Sequence, residues 1–379
     1  MNKKLAKRLQ NFDSSTIRNA FAFAEDIPNP IDLSIGYPED NTPFYIKAAG
    51  VSALRHNYTR YTPTNGVPEL REALSKKLAE DNNISIKPEY ITVTPGVTTA
   101  ILLCYLALLD PEDEVLLPDP FFPPYKDLAA MLGAKPVLVD TAPSFQLTAE
   151  LLEPFITPKS KLLIINSPNN PSGAVYPESE LRKIVALAKK HDIMIISDEV
   201  YEYFTYDVPH FSVGSIYSNT LTLNGFSKAY AMTGWRVGYI AGPASIIEAI
   251  NDLQQYVVFS SSSIGQYAAL AALKKKPGLT GKYRKKRDMA LKTLAPAFPD
   301  IQGAGGAFYI FLPLPEGIKD KRFVNQVSHQ GVIILPGSAF SQHTNYARIS
   351  FAAETVNLKE GLQRISKAST ESGDLKIVS

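Results

Sequence analysis

The stretch Ser227-Lys228-Ala229-Tyr230-Ala231-Met232-Thr233-Gly234-Trp235-Arg236-Val237-Gly238-Tyr239 decides how this chain of 379 residues is read. It follows the apolar run Thr220 to Leu223, which reads as a buried strand. A lysine just past a strand end can leave solvent, and its amine can then form an imine with an aldehyde. Arg236, eight residues on, offers a planar fork suited to a phosphate. Taken singly, Lys228 also reads as a surface lysine and Arg236 as a structural arginine.

Outward from this stretch lie further short apolar runs: Tyr90 to Thr94, Glu114 to Leu117, Pro136 to Val139, Lys161 to Ile165, Ile193 to Ser197 and Val237 to Ala241. Several are β-branched-rich and continuous rather than alternating, which marks strands covered on both faces. Helical patterns separate them. One spans Val67 to Glu80 with Pro68 in its first turn; another holds Ile101 to Leu109; a third, Glu178 to Lys190, fits a βαβ crossover. The fold class is therefore α/β, a mainly parallel sheet covered by helices, with a smaller α+β domain. The region Tyr256 to Lys276 reads as the start of a long helical stretch. Beyond it, Ala307 to Leu312, Val332 to Leu335 and Arg348 to Phe351 read as strands, Lys321 to His329 as a helix, and a terminal helix starts near Val356. The expected division is an N-terminal arm (1–47) on the small domain, a large domain (48–280) and a small C-terminal domain (281–379).

Composition removes several function classes. Hydrophobic residues make up 45% and charged residues 20%, as in an ordinary globular protein. A net charge of +2 gives no field for nucleic acid or an anionic membrane. The single cysteine, Cys104, cannot form an intrachain disulfide, and no Cys/His cluster suggests zinc, so no metal is expected. The basic segment Met1 to Gln10 reads as an amphipathic turn or two and lacks the features of a signal peptide. The longest apolar run, Ile101 to Leu109, is too short to span a bilayer. A cytoplasmic protein is the expectation.

In open parallel sheets, ligands sit beyond the C-terminal ends of strands. Four such places carry polar chemistry: Gly96-Val97-Thr98, Asn169-Asn170, Asp198 to Tyr201, and Ser227-Lys228. Gly96-Val97-Thr98 opens a helix, so free N–H groups and the helix dipole make a phosphate cradle. Each motif has a plain reading too: a helix start, a turn rich in Asn, Pro and Gly, a capping Asp.

The Ser227 to Tyr239 string resembles the lysine motif of class I/II aminotransferases, which are fold type I enzymes dependent on pyridoxal 5'-phosphate (PLP). Asn169-Asn170-Pro171-Ser172-Gly173, Asp198-Glu199-Val200-Tyr201 and Ala347-Arg348-Ile349-Ser350-Phe351 resemble further family segments in matching order. The resemblance implies that Lys228 holds PLP, that Asp198 pairs with its ring nitrogen, and that Asn170 and Tyr201 reach its phenolic oxygen. It implies a phosphate held by Gly96, Val97, Thr98, Ser227 and Arg236. Gly225 and Phe226 stand where family members often carry a further hydroxyl. Phe122, in Pro118 to Tyr125, would stack on the ring. Arg348 would bind the substrate α-carboxylate, with Asn170 and with Gly36 of Ile35-Gly36-Tyr37-Pro38. Tyr61 would reach the phosphate of a neighbouring subunit, making a homodimer with shared active sites. Glu199 and Gly305-Gly306-Ala307-Phe308-Tyr309 receive no chemistry.

The implied activity is transfer of an amino group between an amino acid and a 2-oxo acid, with Lys228, Asp198 and Tyr201 as the catalytic set. Two alternatives keep the cofactor: a C–S lyase working by β-elimination, and a non-catalytic PLP-binding module. The second belongs with an N-terminal DNA-binding domain, for which the residues before Ile31 leave no room.

Overall fold

The computed structural model describes Ala6, Arg8 and residues 28–374; the turn expected over residues 1–10 otherwise lies outside the described residues. Strand β1 (Ile31–Asp32) comes first. Seven strands then build the main sheet: β2 (Ile91–Thr94), β3 (Glu114–Asp119), β4 (Lys135–Asp140), β5 (Ser160–Asn166), β6 (Met194–Asp198), β7 (Thr220–Gly225) and β8 (Gly238–Ala241). Their order is β2-β8-β7-β6-β5-β3-β4, and β8 is antiparallel to both neighbours while the other pairs are parallel. The link from β7 to β8 holds only a short 3₁₀ turn, Thr233–Trp235, so it cannot make the long crossover that a parallel pair needs.

Residues in β3 and β7 are buried throughout, on both faces, as in a sheet covered by helices on each side. The helix Glu178–Lys190 shows how a covering helix is specified. Leu181, Ile184, Val185 and Ala188 form its buried stripe. Glu178 and Glu180 lie at its N-terminal end, Lys189 and Lys190 at its C-terminal end, matching the helix dipole.

The helical stretch expected to start at Tyr256 starts instead at Ser263, and Tyr256 lies at the end of an earlier helix. Two helices, Ala244–Val257 and Ser263–Ala272, meet at a break. Phe259 takes a φ of 65°, and Ser262 caps the second helix by accepting from Gly265 N at 3.2 Å.

The C-terminal region adds β9 (Tyr309–Pro313), β10 (Val332–Ile333), β11 (Leu335–Pro336) and β12 (Tyr346–Ser350). Strands β11, β12 and β9 form an antiparallel sheet, while β1 pairs with β10 in parallel. Leu33 O also accepts from Ser350 N at 2.7 Å. The segment that follows β1 is thus fastened to the sheet that carries Arg348. One apolar core joins the regions: Leu70 and Leu74 belong to the same buried cluster as Phe308, Phe351 and Leu358. Among the described residues no helix is long and apolar enough to cross a membrane.

Candidate active site

A cleft of about 1110 Å³ opens where β3, β5, β6 and β7 end, and residues from the C-terminal sheet close its far side. Lys228 follows β7 and points into it. Its Nζ donates to Gly36 O and lies 5.9 Å from the centre of the Tyr201 ring. Burial, and then the positive charge of Arg348, push its pKa down to about 8, with Asp198 opposing.

Asp198 ends β6 and is buried. Its Oδ2 accepts from the Tyr125 hydroxyl at 2.8 Å and its Oδ1 from Val200 N at 3.2 Å. Burial pushes its pKa up to about 6 against those two bonds. A carboxyl group with a raised folded pKa holds its proton more tightly in the folded chain than in the unfolded one. Its ionisation costs stability as pH climbs from the ordinary range, and the whole cost stands above the folded pKa. The shift from 3.8 to about 6 corresponds to about 3 kcal/mol. Ligand-free Asp198→Asn is therefore expected to melt above the wild type near pH 8, the gap closing towards about pH 4. Thermal melts across that range check this, and a variant that melts lower near pH 8 would overturn it.

Tyr201 shares a hydrogen bond of 2.9 Å with the Tyr309 hydroxyl; burial and then that neighbour hold its pKa well above the usual range. Asn170 lies in the loop after β5, where its N–H donates to Asn166 Oδ1 at 2.9 Å. Arg348, in β12, donates from Nη1 to Asn170 Oδ1 at 3.0 Å and from Nη2 to Ser34 O at 2.6 Å. Its guanidinium lies between two rings, 4.6 Å from Tyr309 and 4.4 Å from Phe340. Its Nε is buried and meets no acceptor among the described residues. Burial lowers its pKa, with Tyr309, Tyr201 and then the Asp32 carboxylate opposing.

At the other end of the cleft, Gly96 has a φ of +84° and starts the helix Val97–Leu108, which no side chain caps. A Cβ at Gly96 would stand 2.6 Å from Arg236 Nη2. Glycine thus lets a guanidinium close onto a bare helix N-terminus, the charge and donors that an anion needs. Arg236 is set there by a left-handed backbone (φ 54°) and by Nη1 donating to Thr233 O at 3.0 Å. Val97, Thr98 and Ser227 line the same end.

Phe122 lines the cleft, edge-on to Tyr125 at 5.6 Å between ring centres. Gly36 lies against the site, its backbone so close to Tyr309 that a Cβ would meet the hydroxyl at 2.6 Å. Tyr61 is not brought in: its ring is 83% exposed and packs on Phe259 at 4.5 Å. Sequence reading missed Tyr125 as the partner of Asp198, and it gave no chemistry to Tyr309. Tyr309 in fact touches Tyr201 and Arg348. Its place at the start of the apolar strand β9 carries a signal for it, since a buried hydroxyl calls for a partner.

Residues 28–365 match the family Aminotransferase class I and II. The chain is 38% identical to aromatic-amino-acid aminotransferase 2 of Thermococcus litoralis, covering 97% of this chain and 98% of that protein. It is also 38% identical to an aspartate aminotransferase of Pyrococcus abyssi, with coverage of 97% and 98%. Among solved structures, Thermus thermophilus aspartate aminotransferase with maleate superposes with a TM-score of 0.89 at 34% identity, over 96% of this chain and 99% of that one. The chain belongs to the class I and II aminotransferase family, and it is an aminotransferase with the fold of those enzymes.

Proposed function

We propose that this aminotransferase binds pyridoxal 5'-phosphate in the cleft and moves an amino group from an amino acid to a 2-oxo acid. One observation carries the reading: a lysine of lowered pKa faces a buried acid on one side and, on the other, a buried arginine whose Nε meets no acceptor among the described residues. The residues fit the cofactor chemically. The Gly96–Arg236 cradle suits its phosphate, with Val97, Thr98 and Ser227 beside it. Asp198 suits its ring nitrogen, Asn170 and Tyr201 its phenolic oxygen, and Phe122 its ring face. When bound, PLP supplies an aldehyde and an electron-accepting ring.

The chain's own groups do the rest. Arg348, with Asn170 and the Gly36 backbone, holds the α-carboxylate and so fixes where the Cα–H bond points. Nζ of Lys228 takes the Cα proton and holds it for return; a pKa lowered to about 8 makes the neutral amine far easier to reach than for an ordinary lysine. Tyr201 and Asp198 stay fixed and stabilise charge. A homodimer in which Tyr61 serves the neighbouring subunit is part of the proposal. It is supported by the exposed apolar side chains Phe44, Tyr61, Tyr256 and Phe259, of which Phe259 packs on Tyr61.

The test is reduction with borohydride after addition of PLP, followed by peptide mass mapping. The expected result is one cofactor mass on the peptide containing Lys228. A label on another lysine, or none, would refute the reading. An amino group appearing on added 2-oxo acid completes the case for transfer rather than elimination.

A further inference from the structure

Asp198 and Glu199 are adjacent acids sent to opposite sides of the sheet end. Asp198 enters the cleft, while Glu199 goes behind it and is 1% exposed. Its Oε1 accepts from Ser197 Oγ at 2.8 Å. Its Oε2 is surrounded by Ser212 Oγ at 2.5 Å, His210 Nε2 at 3.0 Å and Asn82 Nδ2 at 3.1 Å. Asn82 Nδ2 also donates to Glu202 Oε2 at 2.9 Å. Glu202 Oε1 in turn accepts from Lys77 Nζ at 2.5 Å and from Asn224 Nδ2 at 2.8 Å. Lys77 closes the ring by donating to Asn82 Oδ1 at 2.7 Å.

This network ties together elements that the catalytic groups depend on. Glu199 and Glu202 flank the turn that presents Tyr201. Asn224 is in β7, four residues before Lys228, and its Oδ1 accepts from Gly225 N at 2.7 Å. Lys77 and Asn82 come from the helix Pro68–Asn82, and Ser212 and His210 from a loop. The acids Glu199 and Glu202 with His210 have the spacing of a metal-ligand set, within 4.8 Å of one another. Lys77 already supplies the cation there. Although burial opposes it, Glu199 raises the pKa of His210. An ionised carboxylate is a costly way to fill an apolar space. A fully partnered one fixes direction, because each bond constrains the group from a different side.

We propose that Glu199 is a positioning residue for the reaction: from behind the sheet it fixes the turn bearing Asp198 and Tyr201 and registers it against the strand end bearing Lys228. The inference rests on the reading of the cleft as the PLP site. Full-length Glu199→Gln is the test, reconstituted with PLP beside the wild type. The expected result is a Kd for PLP raised about tenfold and a displaced midpoint in the pH titration of the bound cofactor's visible absorbance. kcat is expected to fall about tenfold with KM for the amino donor nearly unchanged, since Arg348 is untouched. Glu199→Asp, which keeps the charge, is expected to recover part of each change. Should Glu199→Gln fail to fold, His210→Gln removes one partner of the carboxylate and is expected to move the same readouts less. A variant that only melts lower, with wild-type Kd and wild-type absorbance titration, overturns the proposal. A wild type that binds no PLP overturns the cofactor reading, and that is visible in the control alone.

Discussion

Lys228→Ala is expected to lose transamination by about 10⁴-fold or more while keeping its fold. The size follows from two losses at one atom. The first is general acid–base work at Cα, which is worth about 10² to 10⁴-fold by itself. The second is the covalent hold that keeps the cofactor in register. No neighbour replaces Nζ: Arg348 stays protonated, Asp198 is tied to Tyr125 and Val200, and the Tyr201 hydroxyl is held far from ionisation. Loss of stability does not explain the effect in advance. A lysine whose folded pKa is lowered to about 8 destabilises the folded chain below that pH, so alanine removes a burden at neutral pH. The measurements are single-turnover rates with an amino acid and melting of the cofactor-free chain near pH 7. The same pKa carries a second expectation for the wild type. Covalent uptake of PLP needs the neutral amine, so its rate should rise with pH through about 8 and then level. Retention of full turnover by Lys228→Ala would remove the lysine from the mechanism.

Much of the architecture was legible because a sheet covered on both faces leaves a plain trace. β5 and β6 are largely apolar runs whose polar ends, Asn166 and Asp198, fall at the cleft edge, and Ser227 and Lys228 do so just past β7. Lys228, Asp198 and Asn170 were readable as strand-end residues for that reason. Residues whose meaning is set by a partner far along the chain were not. Tyr125 is one of 19 tyrosines, and nothing local distinguishes it from a core ring until Asp198 is seen 2.8 Å away. Tyr309 and Phe340 become parts of the site only through Arg348 between them. The cluster behind Asp198 gathers residues 77, 82, 199, 202, 210, 212 and 224, and no window of sequence contains them. The break near Phe259 hides for a related cause: Tyr256, Val257, Val258 and Phe259 hold no glycine or proline to mark where one helix ends and the next begins. The antiparallel β8 had a usable signal, the lack of a crossover helix after β7.

Arg348→Ala is expected to lower kcat/KM for amino acids by about 10² to 10³-fold, mostly through KM, while leaving the Kd for PLP close to that of the wild type. The argument starts from cost. A guanidinium held between Tyr309 and Phe340 has left water, and its two donors in use meet neutral oxygens, Asn170 Oδ1 and Ser34 O. With Nε buried and without an acceptor among the described residues, the charge is only partly compensated. A substrate carboxylate arriving there supplies the missing negative charge and fills the open donor direction, so binding gains what the empty site lacks. Truncating one partner of a buried, hydrogen-bonded charge pair costs about 2 to 5 kcal/mol, which sets the expected range. Lysine is not expected to rescue, because a point charge on a flexible stem cannot take the fork's place between two rings. The discriminating measurement compares an amino acid with the amine that lacks its carboxylate. The wild type should strongly prefer the amino acid; Arg348→Ala should lose most of that preference, because the amine never used the arginine. If the variant keeps both the KM and the preference, the α-carboxylate is held elsewhere, and the orientation of Cα over Lys228 needs another source.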